Sequence, residues 1–478
     1  MDPEAFEHHL TSPARRGHAP AGAHSGAAGG APCGDVVRIS LRVEGDRVAE
    51  AGFDASGCGA AVAAGSAAVS LAEGAPLLAA ARVGAHDVAA ELGGLSPGKF
   101  HAADLAADAL HRALGAAARA DGGTAPAPDR TLVAMSGGVD SAVAALLVAR
   151  EGREAVAVTL ELWRDAENDA EASCCSASAV RSARAIAHGM GLPHFTLDLR
   201  DEFRTGVVDP FTAAHASGDT PNPCVRCNGS VRLDAMLGFA ERVGAADLAT
   251  GHYARRTADG LLRCAADAAK DQAYVLSALP HASLERMRFP LGSLTKPEVR
   301  ALAREAGLPV AAKADSQDLC FLAGTGKAAF LARHGGPPER AGVIVDRDGR
   351  ELGRHRGHHL FTVGQRRGLG VDGSGEPLYV LSTEPGSNTV TVGPKAALAT
   401  ATVRLRGAVL HRPGEQVDRV RLRSHAPTRA CRLEGAPPAG RHGRLAVALQ
   451  EPVEAVAPGQ IACLLGGDTV LGWGTIAR

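Results

Sequence analysis

The segment Ser136–Ser141, SGGVDS, is the strongest local signal for ligand binding in the sequence. It follows the apolar run Leu132–Met135 and precedes an apolar helical run. Two glycines let the backbone approach an oxyanion closely, and the helix that begins near Ser141 adds the positive end of its dipole. No Gly-Lys-Ser/Thr sequence follows, so the loop predicts a phosphate site of a type other than Walker A. Asp140 would hold the loop or a magnesium ion.

Three cysteines lie in two later segments. Cys224 and Cys227 belong to TPNPCVRCN, residues 220–228, and Cys320 belongs to ADSQDLCF, residues 314–321. The N-terminus has acidic residues and histidines where a secretory signal needs an apolar core, and no run approaches the ~20 apolar residues of a membrane span. We therefore expect a cytoplasmic protein whose ten cysteines are thiols, metal ligands or catalytic groups rather than disulfides.

The elements that must position these segments alternate between strands and helices. Strand-like runs occupy 132–135, 154–160, 194–199 and 246–253, and helical runs occupy 142–152, 178–190, 231–243 and 296–307. Such alternation predicts a doubly wound parallel sheet. From about residue 340 onward, short strand-like runs separated by glycine and proline turns predict antiparallel, barrel-like modules.

The first 120 residues have a different pattern, typical of a small α+β domain. Val36–Val43 and Arg47–Phe53 alternate as the two strands of a hairpin, and helical runs follow at 59–73 and 101–119. With a prior of ~150 residues per domain, the 478 residues predict about three domains. We assign an N-terminal domain to 1–120, a linker to 121–130, a catalytic α/β domain to 131–328, a central β domain to 329–397 and a C-terminal β-barrel to 398–478.

The composition is ordinary for a globular protein. Hydrophobic residues make up 45% and charged residues 22%, which excludes a mostly disordered, collagen-like or disulfide-scaffold chain. A formal net charge of −1 excludes a uniformly basic coat for nucleic acid, but it leaves room for a local basic face. Such a face is predicted around residues 354–367, at Arg354, His355, Arg356, His358, His359, Arg366 and Arg367.

The loop SGGVDS resembles the pyrophosphate-binding loop of the N-type ATP pyrophosphatases, which adenylate a carbonyl oxygen. Together with TPNPCVRCN, ATGHYAR (249–255), KDQ (270–272), ADSQDLCF and FTVGQRRGLG (361–370), it resembles the tRNA-specific 2-thiouridylases, the MnmA family, from about residue 130 to the C-terminus. The resemblance implies a PP-loop fold and an ATP- and Mg²⁺-dependent tRNA uridine 2-sulfurtransferase. The wobble uridine of the tRNAs for glutamate, glutamine and lysine is adenylated at O2, and persulfide sulfur then replaces that oxygen.

The resemblance also implies roles for single residues. The implied catalytic residues are Cys320, which matches the cysteine that carries the persulfide, Cys227, which matches the nucleophile, and Cys224, which lies where the family contacts the target base. The implied ATP-binding residues are Ala134, Met135, Ser136, Gly137, Gly138, Val139, Asp140, Ser141, Leu160 and Gly251. The implied tRNA-binding residues are Asn222, Pro223, Cys224, His252, Lys270, Asp271, Gln272, Gln365 and Arg366. The other central and C-terminal cysteines are expected to be structural: Cys174, Cys175, Cys264, Cys431 and Cys463.

Cys224 departs from the family pattern, because many members have a general acid/base aspartate there. With a cysteine in that place, a second chemistry is open: Cys224, Cys227 and Cys320 would hold three irons of a four-iron cluster, whose fourth iron carries sulfide. We favour persulfide transfer between separated thiols over this cluster. Two further hypotheses are a non-thiolating PP-loop ligase and an iron–sulfur carrier whose ATP domain is regulatory.

Three segments of the N-terminal domain resemble the IscU/NifU iron–sulfur scaffold: PCGD (32–35), GCGAA (57–61) and FHA (100–102). Cys33, Asp35, Cys58 and His101 match ligand positions of that scaffold, but Ala102 stands where its third cysteine belongs. The resemblance leaves four readings open: a weakened iron–sulfur site, a zinc site, a docking platform for a cysteine desulfurase or sulfur-relay protein that feeds Cys320, or a degenerate scaffold that only folds. The expected partners are tRNA and this sulfur donor, with no membrane.

Overall fold

The computed structural model describes residues 3–30, 34–165, 176–315, 319–322, 324–371 and 376–478. Cys33, Cys174, Cys175 and the segment Ser316–Asp318 lie outside the described residues. Among the residues that are described, no helix combines the length and apolarity needed to cross a membrane.

The N-terminal domain packs helices on a three-stranded antiparallel sheet of order β1-β2-β3. Its elements are α1 (Pro3–Thr11), β1 (His24–Gly29), β2 (Val36–Glu44), β3 (Arg47–Ser56), α2 (Gly59–Ala72), α3 (Leu77–Ala80), α4 (Ala85–Glu91) and α5 (Phe100–Ala120). The predicted hairpin is confirmed, since β2 and β3 pair from Val36–Ser56 to Glu44–Arg47. β1 was not predicted: it lies against α5 so closely that a Cβ on Gly26 would be 2.3 Å from the Ala109 carbonyl oxygen.

A five-stranded parallel sheet of order β10-β7-β4-β5-β6 forms the centre of the next domain. Its strands are β4 (Ala127–Ala134), β5 (Glu154–Glu161), β6 (His194–Asp198), β7 (Ala245–Thr250) and β10 (Met287–Arg288), and β8 (Ala254–Arg256) and β9 (Leu262–Cys264) form a hairpin outside it. The helices are α6 (Val139–Arg150), α7 (Ala177–Gly189), α8 (Arg200–Phe203), α9 (Asp209–Ala216), α10 (Pro223–Cys227), α11 (Leu233–Arg242), α12 (Ala273–Leu276), α13 (His281–Glu285), α14 (Lys296–Glu305) and α15 (Lys327–Arg333). Nearly every residue of β5 is buried, as expected for a central parallel strand covered on both faces. The predicted doubly wound sheet is confirmed.

Two β modules complete the chain. The central one is a four-stranded sheet of order β12-β11-β14-β13, built from β11 (Gly342–Val345), β12 (Glu351–His355), β13 (Tyr379–Glu384) and β14 (Thr389–Gly393). Its β11–β14 pair is parallel, whereas the turn-separated runs predicted only antiparallel pairing. The C-terminal module closes into an antiparallel barrel through the β15–β20 pair and consists of β15 (Thr400–Leu410), β16 (Arg419–Arg421), β17 (Arg429–Leu433), β18 (Gly440–Val453), β19 (Ile461–Gly466) and β20 (Thr469–Ile476).

The N-terminal domain is docked on the parallel sheet through α5. A Cβ on Gly115 would lie 2.0 Å from the Thr196 carbonyl oxygen, so α5 approaches the edge strand β6 at the distance that only glycine allows. Beside this contact, Arg112 Nε donates to both carboxylate oxygens of Glu161 at 3.1 and 3.2 Å. β4 begins at Ala127, inside the linker that the sequence predicts at 121–130.

Candidate active site

The loop between β4 and α6 has the conformation of a phosphate-binding turn. Gly137 has a φ of +69°, and a Cβ there would lie 2.7 Å from the Ala179 carbonyl oxygen, so the position requires glycine. The Ser136 N–H donates to Ser141 Oγ at 3.1 Å, and Ser141 Oγ donates to the Gly138 carbonyl at 3.0 Å. The hydroxyl of Ser141 thus holds the loop closed, and the first turn of α6 faces the site with its positive dipole end.

A cavity of about 200 Å³ opens at this loop. Seven of the ten predicted ATP-binding residues line it: Ala134, Met135, Ser136, Asp140, Ser141, Leu160 and Gly251. Gly137, Gly138 and Val139 do not line it, and their backbone shapes the turn behind the wall. Eight further residues complete the lining: Val158, Thr159, Leu162, Arg232, Met236, Thr250, His252 and Gln272. Of these eight, sequence reasoning named His252 and Gln272 only, as tRNA-binding residues.

The end of β7 must come very near α6 to form this cavity. A Cβ on Gly251 would lie 2.7 Å from the Ser141 backbone nitrogen and 2.8 Å from the Asp140 carbonyl carbon. Any larger residue would push β7 away from the loop. Gly251 is therefore needed for β7 to pack against the loop, and the same packing places Gly251 on the cavity wall.

The Asp140 carboxylate is held by a lysine that sequence reasoning missed. Lys296 Nζ donates to the two Asp140 oxygens at 2.7 and 2.8 Å and lies 2.8 Å from Asp315 Oδ1. Tyr253 Oη donates to the same Asp140 carboxylate at 2.9 Å. Lys296 lies in the first turn of α14, where its positive charge opposes the helix dipole. This unfavourable placement is the one signal in the sequence that could have predicted a special role for the lysine.

Asp315 connects this network to the segment that leads to Cys320. Its carboxylate also accepts from Lys270 Nζ at 2.8 Å and from Arg300 Nη2 at 2.9 Å. Burial alone would raise the pKa of Asp315, but the hydrogen bonds from Lys270 and Lys296 outweigh it and lower the pKa to about 2. The start of the cysteine segment is thus tied electrostatically to the phosphate loop.

The helix α10, which bears Cys224 and Cys227, is held at its start by a cap and at its end by the hydrophobic core. Asn222 caps α10 by accepting from the Cys224 and Val225 N–H groups at 3.1 and 3.3 Å, and Pro223 occupies the first turn. Cys227 ends this helix and is buried in the main hydrophobic core, against which the half-buried Cys320 packs. Directly after Cys227 the helix continues as a π-helical turn, Asn228–Arg232, a form that is frequent at functional sites.

An aromatic cluster anchors the residue that follows Cys320. The ring of Phe321 is buried and packs against the rings of Phe203, Phe211 and Phe330, with centroid distances of 5.7, 5.3 and 5.0 Å. Contacts therefore hold the chain at Asp315, before Cys320, and at Phe321, after it. That arrangement restricts where the thiol can move.

The predicted tRNA-binding residues occupy different environments. Asp271 is buried, accepts from the Ala265 N–H at 2.8 Å and forms an ion pair with Arg421 of β16, so its carboxylate joins the barrel to the α/β domain. Gln272 accepts from the Tyr253 N–H at 2.9 Å. Gln365 closes its own loop by donating to the Arg367 carbonyl at 2.9 Å. Arg366 is exposed.

A second group of possible ligands lies in the N-terminal domain. Asp35, Cys58 and His101 each offer one donor atom, and these atoms lie within 4.8 Å of one another. Cys58 Sγ is 3.2 Å and His101 Nε2 is 3.1 Å from Asp35 Oδ2. Hydrogen bonds from the Cys58 N–H, the Cys58 thiol and His101 lower the pKa of Asp35, so the carboxylate is ionised and ready to bind a cation. A thiol, an imidazole and a carboxylate fit one zinc ion.

Fold and site together define a nucleotide-binding enzyme joined to a scaffold-like domain. Known families match every part of this architecture. A "tRNA methyl transferase HUP domain" matches residues 129–324, and a "NifU-like N terminal domain" matches 3–120. A "tRNA methyl transferase PRC-barrel domain" matches 328–394, and an "Aminomethyltransferase beta-barrel domain" matches 410–476.

One relative matches the whole chain, and others match about three quarters of it. The "Bifunctional protein NifU/MnmA" of Rubrobacter xylanophilus is 44% identical over 100% of this chain and 98% of the relative. The "tRNA-specific 2-thiouridylase MnmA" of Methylorubrum extorquens is 46% identical over 74% of this chain and 94% of the relative, and that of Chloroflexus aurantiacus is 43% identical over 73% and 98%. The chain therefore belongs to the family of bifunctional NifU/MnmA proteins, and the predicted resemblance to both parts is confirmed.

Proposed function

We propose that this chain is an ATP-dependent tRNA uridine 2-sulfurtransferase, which makes 2-thiouridine at the wobble position of the tRNAs for glutamate, glutamine and lysine. One observation carries the proposal. The helical segment that bears Cys227 continues without a break into Arg232 and Met236, which line the cavity under the phosphate loop. The proposed thiol nucleophile and the wall of the proposed nucleotide site thus belong to one continuous helical segment, which supports thiolation through an adenylated base.

The reaction divides into three displacements. The uridine O2 attacks the α-phosphorus of ATP, and pyrophosphate leaves with the electron pair of the broken P–O bond. The outer sulfur of a Cys320 persulfide then attacks C2 and expels AMP. Cys227 attacks the Cys320 sulfur, which releases 2-thiouridine and leaves a Cys227–Cys320 disulfide for an external dithiol to reduce.

Magnesium enters this scheme with the nucleotide. Both oxygens of Asp140 accept from Lys296 and one also accepts from Tyr253, so that carboxylate does not fit a metal held by the protein. MgATP is therefore the substrate, and the backbone of Ser136–Ser141 with the first turn of α6 would bind its phosphates.

For the N-terminal domain, we propose one zinc ion held by Asp35, Cys58 and His101, with Cys33 as a fourth ligand. When bound, zinc would keep the Cys58 thiolate coordinated and the hairpin and α5 fixed together. The domain would serve as the docking platform for a cysteine desulfurase or relay protein that supplies sulfur to Cys320. The whole reaction would take place in the cytoplasm.

Reconstitution tests the proposal. The purified full chain, MgATP, a cysteine desulfurase, cysteine and an unmodified tRNA transcript are incubated, and the digested nucleosides are analysed by mass spectrometry. We expect 2-thiouridine with wild type and with Cys264→Ser, a matched control in which a half-buried thiol outside the site is lost. Cys320→Ser and Cys227→Ser should make none. Product formed at the wild-type rate by Cys320→Ser would refute the proposed role of that thiol.

A further inference from the structure

Arg232 brings an uncompensated positive charge to the cavity under the phosphate loop. It is half-buried on the cavity wall, and its Nε is buried without a hydrogen-bond partner among the described residues. None of the described carboxylates forms an ion pair with its guanidinium, whereas the nearby Lys296 is neutralised by Asp140 and Asp315. A guanidinium withdrawn from water in this way favours an anionic ligand that supplies the missing acceptor.

A short chain of hydrogen bonds orients this guanidinium. Arg232 Nη2 lies 3.3 Å from His252 Nε2, and His252 Nδ1 lies 2.9 Å from Thr250 Oγ1. Because arginine only donates, His252 Nε2 must carry the lone pair, and Nδ1 carries the proton that Thr250 accepts. Burial first, and the charge of Arg232 second, lower the pKa of His252 to about 3, so the imidazole stays neutral and the positive charge stays on the arginine.

We propose that Arg232 is a catalytic residue that binds the α-phosphoryl group of ATP and of the AMP that leaves, and that His252 is its positioning residue. The inference rests on the proposed function and deepens it. A nucleotide phosphate is favoured over a backbone phosphate of tRNA, because Arg232 shares its cavity with apolar side chains suited to a nucleobase, among them Val158, Leu160 and Met236.

The charge changes of the reaction explain why a fixed cation is useful here. In the adenylated base the phosphoryl group is a diester with one negative charge. When sulfur displaces AMP, the electron pair of the C2–O bond passes to the phosphate, which becomes a monoester with two negative charges. A guanidinium already oriented by His252 stabilises this developing charge without reorganising. On this account His252 acts on the nucleotide side of the site.

The test compares AMP with adenosine, because the two differ only in the phosphate. Dissociation constants are measured by calorimetry on the full chain for wild type, Arg232→Met, Arg232→Lys and Arg242→Met. Arg242 is an exposed arginine on α11 and serves as the matched control for loss of charge. We expect Arg232→Met to lower the affinity for AMP by about ten- to a hundred-fold, as for the loss of a charged hydrogen bond, and to change the affinity for adenosine by no more than about two-fold. The affinity of Arg232→Lys for AMP should lie between those of wild type and Arg232→Met, and the affinity of Arg242→Met should match that of wild type.

Other outcomes overturn the inference. An unchanged ratio of AMP to adenosine affinity in Arg232→Met would exclude the phosphate contact, and unchanged adenosine binding would show that the variant is folded. If tRNA affinity fell about ten-fold while AMP affinity did not, the anion would be a tRNA phosphate and the inference would be wrong. Wild-type protein that binds AMP through Arg232 but makes no 2-thiouridine would instead refute the proposed function and leave this site intact.

A double-mutant cycle tests the positioning role of His252. If His252 acts through the guanidinium, His252→Ala weakens AMP relative to adenosine in wild type but has no such effect in the Arg232→Met background. His252→Gln offers an amide oxygen to Nη2 and should restore part of the affinity. Equal effects of His252→Ala in both backgrounds would show that the histidine acts independently of Arg232.

Discussion

Replacing Lys296 by methionine should destabilise the phosphate loop more than any surface charge change, and the size of the effect can be worked out from the contacts. Lys296 is buried and bridges Asp140 and Asp315 at 2.7–2.8 Å. At such a distance the attraction of one ion pair is about 6 kcal/mol for an effective dielectric constant of about 20, before the cost of desolvation. Breaking a buried pair costs about 3–5 kcal/mol, because the partner charge is left uncompensated.

The lower end of that range applies here. A third of the Asp140 side chain is exposed to solvent, 32%, and Asp315 keeps Lys270 and Arg300. We therefore expect Lys296→Met to lower the free energy of local unfolding of α6 by about 3 kcal/mol. Hydrogen exchange of the α6 amides, followed by mass spectrometry, measures this locally and avoids assuming two-state unfolding of a multidomain chain.

Two controls make this prediction sharp. Asp140→Asn in the Lys296→Met background removes the stranded carboxylate and should recover at least about 1 kcal/mol. Arg304→Met, an exposed change on the same helix, should alter exchange by less than about 0.5 kcal/mol. A loss below about 0.5 kcal/mol in Lys296→Met, or no recovery in the double variant, would refute the electrostatic account of the loop.

Three further predictions concern the docking of α5, the ligand group of the N-terminal domain and Cys224. Gly115→Ala should loosen the docking of α5 on β6 and speed amide exchange at Thr196 by the equivalent of about 1–3 kcal/mol, whereas Gly123→Ala, where nothing lies within 4 Å, should not. The full chain should bind one zinc ion, and Asp35→Asn should lower the zinc affinity at least about ten-fold, as measured by competition with a chelator. Because the pKa of Asp35 is lowered, its carboxylate contributes to zinc binding above the usual pKa of an aspartate, and this contribution is lost only as the pH falls through the lowered pKa. Cys224→Asp should retain thiolation if a persulfide carries the sulfur, since aspartate exchanges protons but cannot replace a thiolate on a four-iron cluster; complete loss of product with loss of iron would favour the cluster.

Some of this molecule could be predicted from sequence because local patterns specify it. The glycines of SGGVDS require a tight turn after a strand, and the buried run of β5 is apolar except for Thr159, so sheet and loop were both predicted. β1 has no β-branched residue, and its sequence HSGAAG is set by the approach of α5, a distant helix. Local strand propensity does not reflect a contact with a helix that is distant in the sequence.

The site illustrates the same limit. Lys296 is 156 residues from Asp140, and no spacing rule relates a lysine on one helix to a carboxylate on another. Arg232 follows Cys227 by only five residues, but only the packing shows that its Nε is buried without a hydrogen-bond partner among the described residues. Asp271 shows the reverse: a residue whose motif implies RNA contact is buried against Arg421 of the barrel.

One experiment tests the central claim, that sulfur reaches tRNA as a persulfide on Cys320, most directly. The full chain is loaded anaerobically with ³⁵S from labelled cysteine and a desulfurase, freed of donor, analysed for iron and acid-labile sulfide, and then given MgATP and tRNA for a single turnover. The account predicts no iron at the three cysteines, label on wild type that passes into 2-thiouridine, and neither label transfer nor product with Cys320→Ser. Labelled 2-thiouridine from Cys320→Ser, or iron and sulfide that disappear in Cys224→Ser, would contradict it.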